Sequence, residues 1–443
     1  MKIQLSDHFT YKKLLQFTLP SIIMMIVTSF YSVVDGLFVS NLIGDMALSA
    51  VNIVWPIAMI IGAFGFMLGT GGSAVVARTL GEGKKRLASH YFSMIVYAVI
   101  ILGVLLSVLC IAFLEPLIRL AGASEILISD SMIYGRILLA GSVPFMLQTT
   151  FQSFFIVAEK PHMGLGLSLA AGVTNMVLDY VFIRGFEMGI AGAALATVIG
   201  YIVGGVLPFF YFLNPKRDGL RLVKTKFCGK VLLHSCANGS SEMMNNIATS
   251  IVSVLFNIQL MRIIGEAGVA AFSVMMYVDF IFLGTFFGFS VGSAPVISYH
   301  YGAGNNSELK NIFKKSMIII GSVSIAMLCI SQLMARILCQ IFVGYNPELM
   351  SLTLHGFRLF ALNYIISGIN VYSSAFFTAL CNGKISALLS FMRAFVLRGG
   401  MVLLLPLIFG TDGIWLSVAF AEILGAVLSV YFFVTKRKQY HYA

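Results

Sequence analysis

Charge is what this sequence has least of: 11% of its residues are Asp, Glu, Lys or Arg, against 59% hydrophobic. Soluble domains carry roughly 25% charged residues, so a soluble fold is excluded. No polar stretch of domain length interrupts the apolar segments, which leaves no room for a separate soluble module. The six cysteines contain no C-x-x-C pair and the seven histidines no H-E-x-x-H, so neither a disulfide framework nor a metal site is read. The phosphate loop G-x-x-x-x-G-K-[ST] is missing too, and Gly81-Glu82-Gly83-Lys84-Lys85 does not replace it. Any pumping by this chain alone would draw on an ion gradient. Gly69-Thr70-Gly71-Gly72-Ser73-Ala74 fits G-x-G-x-x-A in form, but no strand precedes it and no suitable acid follows. Its small residues read better as a surface for close helix packing. With no nucleophile or metal constellation and no cofactor motif, the chain does not read as an enzyme.

What is there is a succession of apolar segments, with a mean hydropathy of +0.94. Twelve spans are expected near 14–37, 47–70, 91–113, 131–157, 163–184, 189–213, 231–261, 268–299, 312–335, 353–380, 384–409 and 412–434. The fold class is therefore an all-α polytopic membrane protein. The first segment is too long for a signal peptide and lacks a small-residue cleavage pattern, so it is expected to stay in the chain.

The net charge of +11 does not read as a nucleic-acid footprint, because of where the basic residues fall. They cluster at Lys2, Lys12 and Lys13, at Arg78, Lys84, Lys85 and Arg86, and from Lys216 and Arg217 through Arg221, Lys224, Lys226 and Lys230. Lys310, Lys314 and Lys315 follow, then Lys436, Arg437 and Lys438. In a twelve-span chain all of these lie on one side, which the positive-inside rule makes the cytoplasm, with both termini there.

The chain also repeats itself. Ile43-Gly44-Asp45 and Ile264-Gly265-Glu266 are 221 residues apart, as are Gly81-Glu82-Gly83 and Gly302-Ala303-Gly304, and Gly135 and Gly356. Gly189-Ile190 matches Gly413-Ile414 at 224, which implies a three-residue insertion. Six spans per repeat make the repeats parallel, related by an axis along the membrane normal. The expected division is a six-helix lobe over 1–213, a basic cytoplasmic linker over 214–230 and a second six-helix lobe over 231–443. Two such bundles face a central cavity and rock about it. Pro20, Pro56, Pro144, Pro208, Pro295 and Pro406 fall within spans, where each removes a backbone hydrogen bond.

Against this apolar background a few ionisable residues stand out. Asp35 lies about twenty residues into an apolar segment, where a charge costs roughly 2.5–3.5 kcal/mol on insertion scales. Asn175 and Asp179 are one helical turn apart on one face of span five. With Thr197 of span six they would form a polar pocket in the first bundle. Two carboxylates in such a place cannot both ionise easily, which brings proton binding towards the physiological range. The same oxygens, at Asp35 and Asp179 above all, would equally suit Na⁺. The plain structural alternative is a hydrogen-bonded pair locking spans one and five. In the second half the intramembrane acids are Glu242, Asp279 and Glu422, and Arg393 and Arg398 lie in span eleven. Glu422 reads as a neutralising partner of an arginine. Glu242, with Met243 and Met244, and Gln148 are candidates to face the cavity. The 37 Phe, 17 Tyr and 23 Met are compatible with holding flat organic cations.

Over nearly its whole length the chain resembles the multidrug and toxic compound extrusion (MATE) family. The resemblance rests on Pro20 followed by Asp35, on Gly81-Glu82-Gly83, on Asn175-Met176-Val177-Leu178-Asp179 and on Gly189-Ile190-Ala191-Gly192-Ala193-Ala194-Leu195-Ala196-Thr197. It implies twelve helices in two V-shaped lobes and export of cationic drugs against inflow of H⁺ or Na⁺. It assigns ion binding to Asp35, Asn175, Asp179 and Thr197, and helix bending to Pro20. One departure matters: a branch of the family has an acid in helix ten for a second cation site, and Thr353–Leu380 has none, although Glu242 resembles that branch's helix-seven acid. Coupling is therefore expected in the first lobe. The expected partners are small organic cations and the lipid bilayer of a plasma membrane, the chain acting as a monomer. A lipid-linked oligosaccharide flippase of the same superfamily is the alternative, kept open by Arg393 and Arg398.

Overall fold

The computed structural model describes residues 3–121, 123–215, 219–344 and 346–443, without the side chains of residues 32, 33, 37, 40, 41 and 45. Lys2, Lys216 and Arg217 of the basic clusters lie outside the described residues. Among those described there are sixteen α-helices and no strand. That is the expected outcome for a chain in lipid, where a helix satisfies its own backbone. The first half runs α1 Tyr11–Leu42, α2 Asp45–Gly81, α3 Lys85–Ala112, a short α4 Leu114–Leu120, α5 Glu125–Ala140, α6 Ser142–Val157, α7 Pro161–Asp179 and α8 Gly189–Leu213. The second runs α9 Gly229–Ile263, α10 Glu266–Gly302, α11 Asn306–Val343, α12 Pro347–Phe360, α13 Tyr364–Ala379, α14 Gly383–Phe391, α15 Arg398–Phe409 and α16 Thr411–Tyr440.

Eleven stretches are long and apolar enough to cross a membrane, and α5 with α6 makes a twelfth that is bent by 52°. Sequence had that span continuous over 131–157. The break falls at Gly141, and Pro144 in the first turn of α6 has no N–H to give to the Ala140 carbonyl. Pro20, Pro56, Pro208, Pro295 and Pro406 sit inside helices that continue through them.

The repeat is written in the backbone. Gly44 (φ 121°) and Gly265 (φ 87°), Gly83 (78°) and Gly304 (67°), and Gly189 (55°) and Gly410 (57°) are pairs of left-handed residues 221 apart. Gly410, not Gly413, is the partner of Gly189, so the expected three-residue insertion is not there. What the turn needs is a residue free to take positive φ, and the matching Gly-Ile dipeptide was a coincidence of composition. Glu159 (58°) and Cys381 (56°) form a fourth pair at a spacing of 222.

The two halves meet along an antiparallel seam. The backbone of α1 at Thr18 and Ile22 lies against Gly292 and Gly288 of α10, and Ser29 Oγ donates to the Phe280 carbonyl at 3.4 Å. A Cβ on Gly71 of α2 would strike Ser235 and Gly239 of α9, and one on Gly302 of α10 would strike the Arg78 carbonyl. The small-residue run around Gly71 is thus a packing surface, as its composition predicts. These close approaches lie towards the end of each helix that carries the chain termini and the turns at Gly83 and Gly304. A strap made by the residues before α1 ties the halves together on that terminal face. Leu5 N–H donates to Glu159 Oε1 (2.9 Å) in the first half, and Phe9 N–H donates to Glu308 Oε1 (2.8 Å) in the second. Asn311 Nδ2 and Lys315 Nζ both donate to the Phe9 carbonyl, and Leu5 and Phe9 are buried.

Candidate functional site

α1, α7 and α8 of the first half bring the four expected residues together. α7 stacks Asn175 and Asp179 on one face, and a π-helical stretch, Tyr180–Gly185, begins directly after Asp179. Such local widenings recur at functional sites. Asp35 on α1 is turned towards both Asp179 and Asn175. Asn175 Nδ2 donates to Thr197 Oγ1 on α8 at 3.4 Å, and the Thr197 hydroxyl donates to the Ala193 carbonyl at 3.0 Å. Asp179 is wholly buried, and its oxygens, Asn175 Oδ1 and Asp35 Oδ1 accept from no N–H or hydroxyl in the protein, although Asp35 and Asp179 stand within hydrogen-bond reach of each other. The arrangement is a cluster of oxygen acceptors short of positive partners.

Beside the cluster lies a small cavity lined by Tyr31, Gln148, Ala171, Asn175, Thr197 and Tyr201. Its volume of about 10 Å³ is near the minimum for one water molecule. Gln148 Oε1 and the Tyr201 hydroxyl are also buried without a protein partner. Tyr134, buried in α5, stands close to Asp35, Asp179 and Thr197. Sequence reasoning named Gln148 but missed the three tyrosines. A signal existed: Tyr31 and Tyr201 are each one helical turn from a named residue, Asp35 and Thr197, as Asn175 is from Asp179. Two carboxylates side by side in a low-dielectric interior are stable when a cation, H⁺ or Na⁺, sits with them. The cluster has the donor chemistry for either one.

The second half holds a different network. Glu422 on α16 is wholly buried and takes Arg398 Nη2 at 2.6 Å and Nε at 3.2 Å on Oε1. Asn370 Nδ2 donates to Glu422 Oε2 at 2.6 Å and to the Glu422 carbonyl at 2.8 Å, and Ser429 Oγ donates to Asn370 Oδ1 at 3.0 Å. Arg393, at the start of a second π-helical stretch Met392–Leu397, donates through Nη2 to Asn245 Oδ1 at 2.9 Å. Its Nη1 stands 3.6 Å from Glu422 Oε1. The reading of Glu422 as an arginine's neutralising partner holds. Asp279 lies near Arg398 and Tyr364, and Glu242 near Arg393.

The other expected residues are placed as follows. Glu242, Met243 and Met244 are partly buried on α9, with Met243 packed against the core of the first half. Pro20 is buried at the level of the seam, on the face of α1 opposite Thr18 and Ile22, the residues that rest on α10. Asp35 is six residues beyond Ser29, about 9 Å further along α1 than the last of those contacts.

Comparison with known proteins points to one family and fold. The family description MatE matches residues 20–181 and 243–402. The multidrug export protein MepA of Staphylococcus haemolyticus (strain JCSC1435) is 22% identical over 436 residues, covering 97% of this chain and 94% of that protein. A crystal structure of MATE in complex with MaL6 superposes with a TM-score of 0.92 at 22% identity, covering 98% of each chain. An outward-facing MATE family transporter of the MOP superfamily gives a TM-score of 0.92 at 21% identity, covering 100% of this chain and 99% of that one.

Proposed function

The chain belongs to the MATE family of transporters, and from that membership we propose that it is a cation-coupled antiporter, driven by H⁺ or Na⁺, that exports organic cations by alternating access. The observation that carries the coupling is the pair Asp35 and Asp179, set with Asn175 and Thr197 around buried oxygens that lack a protein donor. The names of its exporting relatives support the substrate class. The termini, with the basic clusters, lie in the cytoplasm of a plasma-membrane protein. The seam and strap then close the cytoplasmic side, and the conformation is outward-facing. The part-exposed polar face of α9, with Ser240, Asn246 and Ser250, supports a water-filled cleft, since polar groups at this depth avoid lipid.

A coupling ion enters the first half from the outer side and settles between Asp35 and Asp179. It drives export only if it binds the two states unequally, and the position of α1 is what differs between them. α1 carries Asp35 at one end and the seam residues around Pro20 at the other, so neutralising Asp35 and loosening the seam are events on one helix. Drug bound in the cleft and ion bound in the first half then favour opposite states.

The flippase alternative is not favoured. Arg398 and Arg393 are committed to Glu422 and Asn245 rather than arrayed along a cavity, and the matched relative is named as an exporter. Reconstituted protein, a fluorescent organic cation and an imposed H⁺ or Na⁺ gradient provide the test. Efflux that follows one gradient and disappears in Asp35→Asn is the expected result. Wild-type efflux in that variant, with the protein folded, would remove the assignment.

A further inference from the structure

The repeat places the two polar networks at the same point of the fold. Gly204 on α8 and Gly425 on α16 are repeat partners. A Cβ on Gly204 would lie 2.7 Å from Gln148 Cδ, and one on Gly425 would lie 3.0 Å from Asn370 Nδ2. Gln148 and Asn370 are therefore counterparts, with the same one-residue offset as Glu159 and Cys381. Tyr201 corresponds to Glu422 at the spacing of 221 set by Gly204 and Gly425, and Ala171 to Arg393 at the spacing of 222 set by Gln148 and Glu159. Gln148, Tyr201 and Ala171 line the cavity of the first half. Their counterparts Asn370, Glu422 and Arg393 form the ion-paired cluster of the second.

We propose that Arg393 is a tethered cation: its guanidinium, with that of Arg398 beside it, stands in the second half where the first half takes a mobile ion. Three observations carry this. The Glu422 side chain is wholly buried and the Arg393 side chain is 8% exposed, so the charges compensate one another out of solvent. Both oxygens of Glu422 and both polar atoms of the Asn370 side chain are hydrogen-bonded, and the carboxylate oxygen of the second half that has no hydrogen bond, Asp279 Oδ1, lies near Arg398. In the first half Asp179, Asn175 Oδ1, Gln148 Oε1 and the Tyr201 hydroxyl have neither a hydrogen bond nor, among the described residues, an arginine beside them. Arg393 Nη1 faces Glu422 at 3.6 Å with no hydrogen bond, held as a counter-charge while Nη2 is anchored on Asn245. The Glu422 cluster is thus permanently loaded and exchanges no ion. This rests on the antiporter reading only in calling the first-half cavity a cation site.

The test asks whether a free cation can replace the tethered one. Asp35→Asn is the background, so that the first half does not respond, and Arg393→Gln and Arg393→Lys are made in it in the full chain. Each purified protein is heated with guanidinium, Na⁺ or tetramethylammonium at constant ionic strength, and the half-life of the folded form is followed. Arg393→Gln is expected to be shorter-lived and to be protected about tenfold by guanidinium or Na⁺ at ten times the dissociation constant, and not by tetramethylammonium. Arg393→Lys and the background are expected not to respond. Equal behaviour of the Gln and Lys variants, both insensitive to cations, would overturn the inference, because a guanidinium needed only for packing gives that result. Should Arg393→Gln fail to fold, Arg398→Gln, which leaves Arg393 beside Glu422, is put through the same series. Failure of the antiporter reading shows separately, as efflux by Asp35→Asn, since no transport is measured here.

Discussion

The first half of this protein sets two carboxylates together with no basic side chain beside them among the described residues, and the second half sets its buried Glu422 against two arginines. Both stand on the same six-helix plan, at matched glycines, while the π-helical stretches beside them, at Tyr180 and Met392, are 212 apart and so not at matched positions. The difference lies in which residues carry charge. Asp35 and Asp179 have Phe256 and Met401 at their repeat positions, while Glu422 and Arg393 have Tyr201 and Ala171. Duplication preserves the turns and helix contacts, which any such bundle needs. It leaves the polar centre free to become a binding site in one copy and a brace in the other.

The comparison is broken most severely at Asp179. Asp179→Asn should bring gradient-driven efflux down to the level of protein-free liposomes while leaving the melting temperature unchanged or higher, because it removes a buried charge that has no donor. Glu422→Ala should do the reverse to the fold. It strands Arg398 and Arg393 in the interior and should cost about 3–5 kcal/mol, seen as a fall in thermal midpoint or loss of folded protein. If both acids behave alike in stability, the two halves do not differ as described. A smaller effect is expected at the seam. Gly71→Val presses on Ser235 and Gly239 at an overpacking cost of about 1–3 kcal/mol to the closed state. Neighbouring Cys236 should then react about tenfold faster with a water-soluble maleimide, since 1.4 kcal/mol is a factor of ten. The smallest effect is at Tyr201→Phe, which removes a hydroxyl without a protein partner. Stability should stay within about 0.5 kcal/mol, and the ion concentration for half-maximal efflux should move by less than about tenfold.

Much of this was legible in the chain, for identifiable reasons. Asp35, Asn175, Asp179 and Thr197 stand out because polar residues in apolar runs are expensive, and helical spacing aligns the middle two. Tyr31 and Tyr201 carry only the weak signal of lying one turn from Asp35 and Thr197, and Tyr134 has no named residue at that spacing, since a tyrosine in such a run reads as core until its hydroxyl is located. The charge of Glu422 was readable, and so was its pairing with an arginine. Its correspondence with the cavity of the first half was not, because that depends on which residue faces Gly204 and which faces Gly425. The strap was also hidden: Leu5 and Phe9 find Glu159 and Glu308, and nothing local announces partners about 150 and 300 residues away. The repeat register failed at Gly413 for a simple reason, that letters were matched where a backbone angle was conserved.

The glycines of the seam have a mechanical consequence. Where Gly71 faces Gly239, and Gly288 faces Ile22, main chain lies on main chain with no side chain keyed into the opposite surface. Smooth faces of this kind part without any rotamer having to be withdrawn from a socket, so the seam itself contributes little friction. What remains to be undone is a handful of discrete fastenings: the strap at Glu159, Glu308 and Lys315, and the long hydrogen bonds from Ser29 to the Phe280 carbonyl and from Asn238 to the Gly71 carbonyl. The seam sets how well the two halves fit, and the fastenings set how often they let go.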